Sequence, residues 1–107
     1  MTIQVKDAYT EIYQALQQDI DEILHQHAIE QIQLQLSKAK QDVQRWQKKY
    51  GCNYETFIRR TANDRNYLQQ LNANIETQMW EGDLISWEFD TLEVKTWQTY
   101  LQKLSTI

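Results

Sequence analysis

Gln31-Ile-Gln-Leu-Gln-Leu-Ser37 is the stretch on which the fold turns. Taken alone, its alternation of apolar and polar residues reads as a short β-strand, whose side chains point to opposite faces in turn. Taken together with residues 38–50, it reads as helix. Ile32, Leu36, Ala39, Val43, Trp46 and Tyr50 recur at steps of four, three, four, three and four residues, a heptad seam. That phase runs through 31–37, so the helical reading is preferred.

Upstream, Tyr9, Ile12, Tyr13, Leu16, Ile20, Ile23 and Leu24 show the spacing of an amphipathic helix. The phase slips between His25 and Glu30, although Leu24, Ala28 and Ile32 bridge the slip at steps of four. The region from about Lys6 to Tyr50 is therefore one helix with a stutter, or two helices. The chain has no proline and no glycine before Gly51, so nothing obliges a break. A single helix over that span is about 65 Å long at 1.5 Å per residue, far longer than a compact domain of this size is wide.

Gly51 follows a basic last turn, Lys48 and Lys49, as a C-terminal glycine should. Asn53 is a candidate N-cap for a short helix from Tyr54 to about Thr61, with Phe57 and Ile58 inward. Asn63-Asp64 offers a turn or a cap. The next helix is expected from Arg65 to about Met79, using Tyr67, Leu68, Leu71, Ile75 and Met79. Gly82 reads as another break, and 84–89 as loop, strand or helical turn. Asp90-Thr-Leu-Glu93 has the form of a capping box and predicts a last helix from Thr91 to about Leu104, burying Leu92, Trp97, Leu101 and Leu104. The expected fold is all-α: a long helical hairpin or coiled-coil arm, then a small Trp-rich helical cap. Residues 1–107 form a single helical domain, with the long helix or helix pair over about 6–50 and shorter helices over 53–107.

At 107 residues the length suits one domain with a modest core that gains from self-association. The net charge of −4 disfavours non-specific nucleic-acid binding by the molecule as a whole. The charge is segregated: −5 over residues 1–30, +5 over 31–65 and −4 over 66–107. This order suits two segments of one fold, or two chains running in opposite directions, and predicts a homodimer with acidic 1–30 against basic 38–49. One cysteine excludes an intramolecular disulfide, no apolar run approaches a membrane span, and no leader is visible at the start. A cytoplasmic location is expected.

Sites of chemistry are sparse. Glu22-Ile-Leu-His25 has the Glu-x-x-His spacing of di-iron bundles, but such a centre needs a second motif and further carboxylates. Cys52 lies near a helix start, where a thiol pKa can fall, but no base stands near it in sequence. The pairs Glu81/Asp83 and Glu88/Asp90 read as surface charge and helix-start acids. No metal, cofactor or catalytic residue is assigned, and no enzymatic activity is expected.

Two binding readings are left. Trp80, Trp87, Phe89, Trp97 and Tyr100 gather in the last quarter, where tryptophan serves equally as binding hot spot and core filler. At least one of Trp80 and Trp87 should stay partly exposed. Alternatively, Arg45, Lys48, Lys49, Arg59, Arg60 and Arg65 interleave with Trp46, Tyr50 and Tyr54, a pattern able to hold single-stranded RNA by charge and stacking. The plainer reading pairs these cations with the acidic N-terminal helix or an acidic partner.

Lys48-Lys-Tyr-Gly-Cys-Asn-Tyr-Glu-Thr-Phe57, then Trp80-Glu-Gly-Asp-Leu-Ile-Ser-Trp87-Glu-Phe and the Trp97 segment, resemble small helical antitoxin-like proteins of bacterial toxin–antitoxin gene pairs. The resemblance covers about half of the chain, which differs in its longer acidic N-terminal part and the extra helix after Arg65. It implies an inhibitor that buries the active surface of a small ribonuclease-like or nucleotidyl-modifying toxin. It also implies a structural corner at Tyr50, Gly51, Tyr54 and Phe57, and partner contacts at Trp87 and Trp97. No ribbon-helix-helix or helix-turn-helix signature is present, so operator binding is not implied.

Overall fold

A computed structural model describes the backbone of residues 5–106 and the side chains of residues 8–106. Four helices follow in order: α1 (Val5–Tyr50), α2 (Tyr54–Asn63), α3 (Arg65–Ala73) and α4 (Trp80–Ser105). Among the described residues there is no strand, so 31–37 is helical and α1 is one unbroken helix. The fold is all-α, and the molecule is elongated, with principal extents of 90 × 22 × 16 Å.

The break in apolar phase near 25–30 has a geometric explanation. Helix α1 carries two rows of side chains on roughly opposite faces, as 3.6 residues per turn dictates. One row is apolar in the second half of the helix, through Leu36, Ala39 and Tyr50, and is buried. The other is apolar in the first half, through Tyr9, Tyr13, Leu16 and Ile20, and is exposed. The slip marks where apolar character passes from one face to the other.

Helix α4 runs back antiparallel along the buried row. Lys49 Nζ donates to Asp83 Oδ2 at 2.7 Å, and Trp46 Nε1 donates to Asp90 Oδ2 at 2.8 Å. Coverage ends near Ala28 and Ile29, which are half-buried, and every residue from Ala8 to Leu24 is exposed. The molecule is thus a helical hairpin from which the first half of α1 projects as an arm.

Gly51 has φ +69° and its N–H donates to the Gln47 carbonyl at 2.8 Å, closing α1 with a left-handed residue. Asn53 then caps α2, its Oδ1 accepting from the Thr56 N–H at 2.8 Å, and Asp64 caps α3 by accepting from the Tyr67 N–H at 3.1 Å. The chain folds back over the end of α1, and Phe57 closes the core. Its ring centroid lies 4.5 Å from Tyr50, 5.3 Å from Trp87, and 6.2 Å from both Tyr67 and Trp80, the last two edge-on. Edge and offset contacts of this kind add to the area burial of large rings.

Three boundaries differ from expectation. Helix α3 stops at Ala73, because Asn74 Oδ1 accepts from the Glu76 N–H and Thr77 Oγ1 donates to the Leu71 carbonyl. Side-chain bonds to the backbone end the helix there, leaving Ile75 and Met79 outside it and exposed. Gly82 is no break, and residues 84–89 are helical, since α4 begins at Trp80. Asp90 therefore caps nothing; it lies inside α4 and accepts from Trp46. Leu92 and Ile58 are exposed rather than inward, whereas Trp97, Leu101 and Leu104 are half-buried. Among the described residues, no helix is long and apolar enough to cross a membrane.

Candidate protein-binding surfaces

Helix α4 is apolar on two sides. Trp87 and Leu84 face the core, with Trp87 fully buried. On the opposite side Ile85, Phe89 and Leu92 follow at steps of four and three, and Tyr100 continues the row beyond Thr96. Ile85 is 69% exposed and Phe89 61% exposed, which is high for large apolar side chains in the middle of a helix. Glu81 and Glu88 flank this stripe and are exposed. Beside it runs an open groove between α1, the start of α2 and α4, lined by Val43, Gln47, Tyr54, Glu88, Leu92 and Lys95.

The five aromatic residues predicted as partner contacts separate accordingly. Phe89 and Tyr100 lie on the outer stripe. Trp97 is half-buried, donates from Nε1 to Glu93 Oε2 at 2.8 Å and meets Tyr100 edge-on at 5.7 Å. Trp80 is also half-buried, with Nε1 donating to Asn72 Oδ1 at 3.0 Å. Trp87 has no exposed surface, so in this fold it is a core residue. The exposed residues of this stripe that sequence reasoning missed are Ile85 and Leu92. Their signal is the step of four and three through Phe89, which shows only when 84–89 is helical.

The six basic residues do not form one aromatic-lined face. Lys49 turns toward α4 and lies 5.5 Å from the Tyr50 ring and 5.9 Å from the Trp46 ring. Arg45 pairs with Asp42 one turn away at 2.7 Å, and Arg60 lies 5.5 Å from the Tyr67 ring. Lys48, Arg59 and Arg65 are exposed. The aromatic residues that would stack on bases turn inward: Tyr50 is buried, Trp46 bonds Asp90, and Tyr54 packs edge-on against Trp87. Among the described residues and within one chain, Arg45 pairs with Asp42 and Lys49 with Asp83, not with the acidic N-terminal half of α1.

Burial pushes the Cys52 thiol pKa up, with Arg60 opposing, which is the reverse of an activated thiolate. Burial first, then the bond to Asp83, drives the Tyr50 phenol far above its ordinary range. Tyr54 and Tyr67 move up as well, burial being the main cause for each. Glu22 and His25 lie on the projecting arm, and among the described residues no three His, Cys, Asp or Glu side chains converge on a common point. Compared with family models, curated proteins and solved structures, the chain matches none of them.

Proposed function

We propose that the protein is a non-catalytic interaction module, an antitoxin-like inhibitor that holds a small toxin protein on the outer face of α4. The observation that carries this reading is the uncovered row Ile85, Phe89, Leu92 and Tyr100 on a helix whose other side is already packed. A contiguous apolar stripe rimmed by polar residues is the usual mark of a protein-binding surface. Aromatic residues standing on a rigid helix supply anchors at little entropic cost. Glu81 and Glu88 give the Ile85–Phe89 end of the stripe an acidic rim that favours basic groups on the partner there, while Lys95 beside Leu92 favours an acidic group.

Co-expression with the adjacent gene tests the reading. A stable complex should form with the unaltered chain and be lost with Phe89→Asp or Leu92→Asp, both at solvent-facing positions that leave the core intact. A complex that survives both substitutions, or a neighbouring product that never binds, would overturn it. The RNA-binding alternative predicts salt-sensitive binding of single-stranded RNA that is lost on replacing Arg59 and Arg60 by Ala.

A further inference from the structure

We propose that a second copy of this chain covers the open face of α1, with the two α1 helices antiparallel and centred near residues 28 and 29. This surface is separate from the α4 stripe and does not depend on its partner.

On the open face exposed positions recur in one heptad frame along the whole helix, a row that a left-handed supercoil of two helices keeps on their contact line. From Tyr9, alternating steps of four and three lead through Tyr13, Leu16, Ile20 and Ile23, and continue in the same phase through His27 and Glu30 to Leu34, Ser37, Gln41 and Lys48. Every one of these residues is exposed, whereas the row that α4 covers is buried or half-buried. Leu34, 48% exposed, is otherwise an unexplained apolar residue on a polar stretch. It stands in line with the arm's apolar row.

Charge sets the direction. Residues 8–30 hold five acids and no Lys or Arg, and residues 31–49 hold five cations and one acid. Parallel pairing would set acid on acid and base on base. Antiparallel pairing lays each acidic arm along the other copy's basic half. With the centre at 28–29, Ile23 meets the second copy's Leu34. Leu16 and Ile20 fall on its Gln41 and Ser37, in a shallow groove that Gln33 and Lys40 also line. Tyr9 lies against Lys48, whose stem packs on the ring while its charge stays wet. Asp19 lies beside Lys40.

Contact area decides between this pairing and one of the two arms alone. A helix strip roughly 10 Å wide over the 40 residues 9–48 is about 60 Å long, giving about 1,200 Å² over both copies. The arms alone, over 9–27, give only about 550 Å², well below the roughly 1,000 Å² that a specific interface needs. The interface is isologous, so each arm finds the same groove and assembly closes at two copies.

Cysteine pairing tests this, with Cys52 replaced by Ser and one new thiol per chain. Mixing Ile23→Cys with Leu34→Cys chains and oxidising should give a disulfide-linked dimer. Either variant alone should give little, because like positions are then about 16 Å apart along the axis, far beyond disulfide reach. Sedimentation of the unmodified chain at the same concentration should show a dimer. Cross-linking of Ile23→Cys with itself would mean parallel pairing. A monomer at that concentration, even one that binds a basic foreign helix through its arm, or a dimer in which the mixture does not cross-link, would mean that another surface is used. Any of these three results overturns the proposal.

Discussion

Trp87 sits where two effects of similar size oppose each other. Its Nε1 is buried without a hydrogen-bond partner, which costs about 1–3 kcal/mol. Its ring fills the space between Tyr50, Tyr54 and Phe57. Trp87→Phe removes the orphaned donor but gives up the equivalent of two or three methylenes, about 2 kcal/mol. The expected change is therefore within about 1 kcal/mol, whereas Trp87→Ala should cost about 3–5 kcal/mol. Urea unfolding of both variants checks this. Tyr50 makes a pH prediction. Its proton is held more tightly in the folded chain than in the unfolded one, so the unfolded chain ionises first as pH rises. Stability should fall from about pH 10 upward, the ordinary tyrosine range. Tyr50→Phe should flatten that fall in part, since Tyr54 and Tyr67 shift with the same sign. The stop at Gly51 and the cap at Asn53 were legible because caps and glycine state local geometry, whereas the corner of Tyr50, Gly51, Tyr54 and Phe57 was implied only by the resemblance. The role of Trp87 was not legible, because the same side chain suits a core and an interface equally, and only the path of α4 separates them.

The two glycines show how far an element can be read from its punctuation. Both read as breaks in the sequence, yet only Gly51 is one. Its φ of +69° is left-handed, with nothing within 4 Å of an added Cβ, so Gly51→Ala is penalised by backbone conformation alone, about 1–2 kcal/mol. Gly82 lies inside α4, and an added Cβ there also meets nothing within 4 Å. Gly82→Ala should therefore stabilise by about 0.5–1 kcal/mol, the helix propensity difference. Thermal unfolding should show the two Tm values moving in opposite directions. Helix α4 runs through Gly82 because packing of the Trp87 side along α1 outweighs one unfavourable residue, and that packing depends on contacts more than thirty residues apart. For the same reason the amphipathic seam of 32–50 was legible as helix, while its partner along it was not.

At the scale of the whole molecule, charge order and shape make one joint prediction about the pairing of two copies. Asp19 and Lys40 are exposed on α1, and antiparallel pairing centred at 28–29 sets them side by side twice per dimer. Exposed ion pairs are worth about 0.2–1 kcal/mol each, and like charges cost similar amounts. Asp19→Lys should therefore weaken dimerisation by about 1–2 kcal/mol, roughly 5–30-fold. Adding Lys40→Asp in the same chain should restore most of that loss, and added salt should shrink both effects. Sedimentation equilibrium of the two variants at low and high salt measures this. A single substitution without effect, or a double variant weaker than the single, would contradict the register. Solution scattering gives a check that needs no substitution. One chain is 90 Å long. Pairing about residues 28–29 doubles the mass but lengthens the particle by only about 20 Å, whereas pairing by the arms alone would lengthen it by about 50 Å. The acidic and basic halves of α1 pointed to this arrangement in the sequence. The row on which they would meet became visible only once α4 had taken the other face.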